Sequence, residues 1–185
     1  MNIAELKTEL ERLHSASFGW ALSCCRRDHS DAEEVLQTVY LKIFEGKAIY
    51  RGESSLKTWL FAVIRKTAAT EYRRKLLRTL RLTSDAAEVE HHSSFETPTA
   101  TFERSEVQAH FQSALKTLPR RQREALHLVF YEDLSLREAA DVMGVSIGSA
   151  RQHYERGKKK LRESLAKMEV GYGNNWGRQE NPSAV

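Results

Sequence analysis

The chain has 185 residues, 29 Lys+Arg against 25 Asp+Glu, a net charge of +4 and 41% apolar side chains, the composition of a soluble globular protein. Its longest uninterrupted apolar run, Trp59 to Ile64, is far short of the roughly 20 residues that a membrane-spanning helix needs, so no membrane insertion is expected. Pro occurs only at 98, 119 and 182, and no Gly or Pro falls between Glu53 and Thr97, which excludes a fold of short strands joined by turns.

An all-α chain is predicted, with two small helical domains on a flexible linker. The opening MNIAELKTELERL carries acids and lacks an apolar stretch before a cleavage site, so no secretory signal is read and a cytoplasmic location is expected. Cys24 and Cys25 are adjacent and are the only cysteines, which rules out a disulfide framework.

Charge is distributed in blocks. Residues 1–50 carry net −2, residues 51–82 net +7, residues 83–118 net −4 and residues 119–167 net +4. Two basic segments are thus separated by an acidic one. The stretch from Thr83 to Arg104 holds seven Ser/Thr and little apolar periodicity, a linker composition. The predicted organisation is a front domain over 1–82, a linker over 83–104, a rear domain over 105–167 and a disordered tail over 168–185. A relaxed linker would average about 25 Å and reach about 70 to 80 Å at full extension, enough to let two modules stand about two duplex turns apart.

In the front domain, Ser30-Asp31-Ala32-Glu33 fits a capping box. A 3.6-residue apolar stripe follows, in which Val35, Val39 and Ile43 run beside Leu36, Tyr40 and Phe44. Tyr50 to Ser55 breaks the period, and a further helix from Leu56 carries most of the positive block. In the rear domain, Val107, Phe111, Leu115 and Leu118 keep helical spacing, and Pro119 is placed to start a new helix. Ser135-Leu136-Arg137-Glu138 is a second capping box, Gly144 suits a left-handed turn, and Ser146 can cap the next helix. Gly157 lies inside that helix without an evident reason.

The segment from Ser135 to Tyr154 has helix-turn-helix spacing: small Ala139 and Ala140 at a close crossing, Gly144 at the turn, Val145 beside it, and Ala150 packing back. Such a motif sets its second helix in a major groove. Ser149, Arg151, Gln152, Glu155 and Arg156 can project from it, and Arg and Gln carry the paired donors and acceptors that distinguish G and A. Lys158, Lys159, Lys160 and Arg162 can neutralise phosphates. A helical hairpin with a solvated charged face is the plain alternative. In the front domain, Arg65, Lys66, Arg73, Arg74, Lys75 and Arg78 mix with Tyr50, Trp59, Phe61 and Tyr72, a combination suited to unpaired nucleic acid, although Trp59 and Phe61 read better as core.

These strings resemble the bacterial sigma factors of the extracytoplasmic-function group, the small class that keeps only conserved regions two and four. The resemblance rests on DAEEVLQTVYLKIFE (Asp31 to Glu45), SSLKTWLFAVIRK (Ser54 to Lys66), LPRRQREAL (Leu118 to Leu126), LSLREAADVMGVS (Leu134 to Ser146) and GSARQHYERGKKKL (Gly148 to Leu161). It implies a sigma region two bundle and a sigma region four helix-turn-helix, with core RNA polymerase, promoter DNA and an anti-sigma factor as partners. It further implies that Asp31, Glu34 and Gln37 contact core polymerase. Tyr50, Arg51 and Ser54 in the loop, with Arg65, Lys66 and Arg73, match the minus-ten element's binding surface. Ser149, Arg151, Gln152 and Arg156, extended by Lys159, match the surface for the minus-thirty-five element. Lys66 and Thr70 stand where the family usually has Asn and Asp, Glu71 replaces an aromatic or apolar residue, and His153 and Gly157 replace frequent Arg and Ala, so base preference is not carried over.

No catalytic residue, cofactor or metal site is expected. His14, Cys24, Cys25 and His29 match no strong ligand spacing, His91 and His92 lie in the linker, and neither a phosphate-cradling loop nor a nucleophile motif occurs. The rival readings are a free-standing dimeric helix-turn-helix regulator and a decoy that sequesters a polymerase or anti-sigma partner.

Overall fold

A computed structural model describes residues 3–82, 113–115 and 117–173. The expected linker, and with it Val107, Phe111 and the paired His91 and His92, lies outside the described residues, as does residue 174 onward. Seven α-helices make up the described parts: α1 (Ile3–Arg12), α2 (His14–Cys24), α3 (His29–Phe44) and α4 (Leu56–Leu82) in the front half, and α5 (Arg120–Leu126), α6 (Leu136–Met143) and α7 (Ile147–Gly173) in the rear half, with a π-helical turn over His127–Tyr131 after α5. No strand occurs among the described residues, and no described helix is long and apolar enough to cross a membrane.

The front half forms around the periodic positions of α3. Ala32, Val35, Leu36, Val39 and Ile43 are buried against Trp20 and Ala21 of α2 and Leu60, Phe61, Ile64 and Ala68 of α4. Trp20 is fully enclosed, stacks on Phe61 with centroids 5.8 Å apart, and its indole N–H donates to the Phe61 carbonyl at 3.0 Å. That bond satisfies the one polar atom a buried indole brings with it. Phe61 is core, as expected, and Trp59 is half-buried against Tyr50.

Two expectations for α3 need correction. The helix starts at His29, and its cap is Asp28, whose Oδ1 accepts from the Asp31 N–H at 2.8 Å; the Ser30 box therefore does not form. The chain reaches Asp28 through Arg26 and Arg27 in left-handed conformations, and Arg26 is held there by Tyr72, whose hydroxyl accepts from its guanidinium at 3.1 Å and whose ring lies 4.9 Å below. At the other end Phe44 is 55% exposed rather than packed inside, because it has drifted round the helix from the buried Ile43 position.

The rear half follows the sequence signals closely. Ser135 and Glu138 form both arms of the capping box, Gly144 takes the left-handed turn (φ 61°) that ends α6, and Ser146 Oγ accepts from the Ser149 N–H at 3.2 Å. Arg121 donates to the Met143 carbonyl at 2.9 Å, occupying an otherwise unpaired acceptor at the end of α6. Gly157 now has a reason: a Cβ there would lie 3.1 Å from the Gln122 carbonyl oxygen and 3.1 Å from Leu126 Cδ1, so its absence lets α7 cross α5 closely. α7 also continues to Gly173, past the boundary expected at residue 167.

The halves pack against one another. Leu128, Leu134, Ala139, Val142 and Met143 of the rear join the front residues in one apolar cluster, and the His127 ring sits 5.2 Å from Trp20. Polar pairs border this seam. Arg65 Nε lies 3.1 Å from Glu124 Oε2. Lys57 Nζ reaches the Glu132 carboxylate at 2.9 Å and its main-chain carbonyl at 2.8 Å. Thr58 and Ser55 donate to Glu138 Oε1 at 3.3 and 3.5 Å.

Gly157→Ala would gain about 1 kcal/mol of helix propensity but would press a methyl group on the α5 backbone, an overpacking cost of about 1 to 3 kcal/mol. A lower Tm in a thermal melt is the expected result; a higher one would show that α5 yields.

Candidate functional site

Three surfaces carry the residues singled out from sequence. The first is the outer face of α3. Glu34 and Gln37 are exposed there, but Asp31 is half-buried, and Lys75 of α4 pairs with both Asp31 and Glu34, the latter at 2.9 Å. Its hydrogen bond with Asp31 and the nearby Glu34 hold the Lys75 ammonium well above the usual lysine range. The acidic pair is thus partly neutralised within the fold. Leu41, 59% exposed, and Phe44 continue the same face beyond Gln37, at the 3- to 4-residue spacing of one helix stripe. Leu41 was missed by sequence reasoning; its offset by two from the buried Val39 is the signal that could have placed it outside.

The second surface is the loop between α3 and α4 with the adjoining face of α4. Tyr50 is pinned by its hydroxyl, which donates to the Ser54 carbonyl at 2.6 Å. Its ring borders an open cavity of about 350 Å³ lined by Leu6, Ile43, Ala48, Ile49 and Arg51. Arg51 is exposed and Ser54 half-buried. Along α4, Lys66 and Arg73 point to solvent with no ionic partner among the described residues. Arg65 departs from them: it is turned to the other side, into Glu124. The structure therefore brings Tyr50, Arg51 and Ser54 together, sets Lys66 and Arg73 on one stripe two turns apart, and removes Arg65 to the seam between the halves.

The third surface is α7. Ala150 is buried and anchors the helix against the rest of the motif, which leaves Arg151, Gln152, Glu155 and Arg156 exposed. Arg151 and Arg156 have no salt-bridge partner among the described residues. Ser149 is instead half-buried, its hydroxyl 2.9 Å from that of Ser146. Lys158 bends back to Glu155 at 3.2 Å and over the Tyr154 ring, whereas Lys159 is solvent-facing, 4.0 Å from Glu163.

The discounted groups are dispersed. Among the described residues no three His, Cys, Asp or Glu side chains gather as metal ligands. Cys24 and Cys25 are half-buried free thiols at the end of α2. Burial is the main cause that pushes both up, Cys24 well above the usual thiol range and Cys25 to about 12.

Comparison with known proteins gives this geometry a family. Residues 10–78 match Sigma-70 region 2 and residues 109–161 match Sigma-70, region 4, in that order and divided where the acidic segment lies. The chain is 28% identical over 142 residues to RNA polymerase sigma factor SigZ of Bacillus subtilis, spanning 75% of this chain and 74% of that protein. It is 29% identical over 130 residues to ECF RNA polymerase sigma factor EcfG of Rhodopseudomonas palustris, spanning 70% and 68%. Among solved structures, the sigma factor RpoE in complex with the anti-sigma factor NepR from Bartonella quintana superposes with a TM-score of 0.71 at 25% identity, covering 89% of this chain and 98% of that one. CnrH in complex with the cytosolic domain of CnrY shares the fold at 19% identity, with a TM-score of 0.60 over 90% of each chain. The two sigma region models, matched in order along the chain, mark it as an RNA polymerase specificity subunit. The chain belongs to the extracytoplasmic-function group of sigma factors, alternative subunits that bind core polymerase and promoter DNA to direct transcription initiation.

Burial pushes the Glu132 carboxyl up, but the His127 ring and the Lys57 ammonium outweigh it and hold the group below its ordinary 4.5. A depressed carboxylate contributes stability that is present above the unfolded value and lost as pH falls through the folded one. Wild type should therefore be more stable than Glu132→Gln at neutral pH, and the two denaturation midpoints should converge below pH 4.5; a gap that persists in acid would assign the effect to packing.

Proposed function

We propose that this sigma factor divides promoter engagement among the three surfaces, residue by residue. The α3 stripe of Glu34, Gln37, Leu41 and Phe44 docks on core polymerase. Two large apolar side chains held in solvent beside acidic and amide groups form a compact anchor with a polar margin. Asp31 acts at one remove, by fixing Lys75 and with it the angle between α3 and α4.

The loop Tyr50 to Ser55, with Lys66 and Arg73, holds the opened minus-ten element. A recess of about 350 Å³ with an apolar wall and Arg51 at its rim matches an unstacked base with its phosphate beside it. Arg65 serves this element only when released from Glu124.

On α7, Arg151, Gln152 and Arg156 read the minus-thirty-five duplex, and Lys159 meets phosphate. The unpaired Arg151 and Arg156 on the outer face of the second helix carry this assignment: a guanidinium fork in solvent next to a rigid helix-turn-helix is placed for bidentate contact with guanine. Ser149 has a capping role with Ser146 and contributes little to readout. The protein works in the cytoplasm and is no enzyme. Its expected regulator is an anti-sigma protein, as NepR is in the superposed RpoE complex. A free-standing regulator would not account for a region two match covering residues 10–78.

Purified chain added to core polymerase should support run-off transcription from a subset of genomic fragments; failure to bind core, or to direct it to any promoter, would end the reading. Arg151→Ala should cost about 1 to 3 kcal/mol and blur preference at one base pair. A loss spread evenly over all sequences would make it a phosphate contact. Leu41→Ser should weaken core binding by more than about 1 kcal/mol while duplex binding by the free chain stays unchanged; undiminished core binding would remove Leu41 from the interface.

A further inference from the structure

We propose that Arg26, Arg27, Arg120 and Arg123, gathered where the end of α2 meets α5, form a binding site for a diphosphate group, free or carried on a nucleotide. The site stands apart from the three surfaces assigned above and uses none of their residues.

The gathering follows from one ring contact and the helical period. Trp20 of α2 meets His127 with centroids 5.2 Å apart. One turn onward along α2 lies Cys24; one turn back from His127 lies Arg123, and Arg120 is nearly a turn earlier still. Charges of α5 reach the end of α2: after burial, the largest influence on the Cys24 thiol is Glu124, with Arg120 and Arg65 opposing it, and Arg120 acts on Cys25 as well. The chain leaving α2 therefore heads toward the start of α5. Arg26 and Arg27, the next residues, arrive there in left-handed conformations, φ 56° and 68°, which residues other than glycine rarely adopt.

The corner is short of negative charge. Neither the Arg27 nor the Arg123 side chain has a hydrogen bond or ion pair among the described residues, although Arg123 is half-buried. The carboxylates here are already engaged: Glu124 by Arg120, Arg65 and Arg121, and Asp28 by the cap of α3. Burial pushes the Arg123 guanidinium down; Glu124 opposes this, and the like charges of Arg120, Arg26 and Arg27 add to it. An anion placed among them relieves that repulsion and supplies acceptors to the guanidinium forks. A single phosphate carries about −1.5 to −2, so two joined phosphates come closer to balancing Arg26, Arg27 and Arg123. Tyr72, 46% exposed and beside the Arg26 guanidinium, offers a ring on which a base can stack. A DNA backbone engages cations that stand out in solvent, as Arg151 and Arg156 do, whereas the half-buried Arg123 suits a compact anion.

Isothermal titration calorimetry of the full chain with pyrophosphate, adenosine 5′-diphosphate and inorganic phosphate tests the site. Pyrophosphate should bind about tenfold more tightly than phosphate, and Arg123→Gln should weaken it by about tenfold or more. Arg12→Gln, the same loss of charge at an exposed position of α1, should leave it unchanged. No measurable pyrophosphate binding, or equal weakening by the two substitutions, would overturn the site. Circular dichroism checks that the helices persist. Should Arg123→Gln lose helix content, Arg27→Gln, at an exposed position, replaces it and should show the same weakening; unaltered binding would likewise overturn the site. Tighter binding of adenosine 5′-diphosphate than of pyrophosphate, with the advantage lost in Tyr72→Ala, would identify a nucleotide as the source, and equal affinities would identify the free anion; either upholds the site. A mixed-sequence duplex that displaces pyrophosphate and loses affinity alongside it in Arg123→Gln would give these cations to the DNA backbone and overturn the proposal.

Discussion

A carboxylate with 2% of its surface in contact with water must be surrounded by donors, because an uncompensated buried charge costs several kcal/mol. Glu124 is such a group, and it has three guanidiniums around it: Arg120 at 2.8 Å, Arg65 at 3.1 Å and Arg121 at 3.7 Å. Two come from its own helix and one from the other half of the molecule. Arg121 in turn holds the last carbonyl of α6. One buried charge thereby couples the end of the helix-turn-helix scaffold to the middle of α4, and the position of each half follows from satisfying it.

The consequence for function is an asymmetry between two basic helices. α7 and α4 have similar compositions, yet α7 rests on the small residues Ala150 and Gly157 and therefore packs by its backbone side, leaving its long cations outside. α4 is wedged between α3 and α6, so its cations are sorted by direction: Lys75 toward α3, Arg65 and Lys57 toward the rear half, and Lys66 and Arg73 toward water. A block of positive charge in the sequence thus becomes three paired cations and a shorter free stripe.

What was legible in the sequence was local. The Ser135–Glu138 box, the Gly144 turn, the Ser146 cap and the burial of Val35, Leu36, Val39 and Ile43 in α3 depend on neighbours within about four residues, and all of them form, whereas Phe44 at the end of the same stripe is exposed. The Ser30 box failed because Asp28 offered the same capping chemistry two residues earlier, a competition that pattern alone does not rank. Asp31 with Lys75 and Arg65 with Glu124 bring together residues 44 and 59 positions apart; no periodicity encodes such pairs, so charges read as open contacts turned out to be spoken for. Gly157 belongs with them, since the α5 backbone that demands it is remote in sequence.

The adjacent thiols of Cys24 and Cys25 complete the account of the α2 terminus. A thiolate, and not a thiol, is the species that attacks peroxides, disulfides and alkylating agents, and burial pushes both thiols up, Cys25 to about 12 and Cys24 well above the usual thiol range. Both side chains are half-buried against the core of the front half, and their sulfur atoms serve there as small pieces of apolar filling.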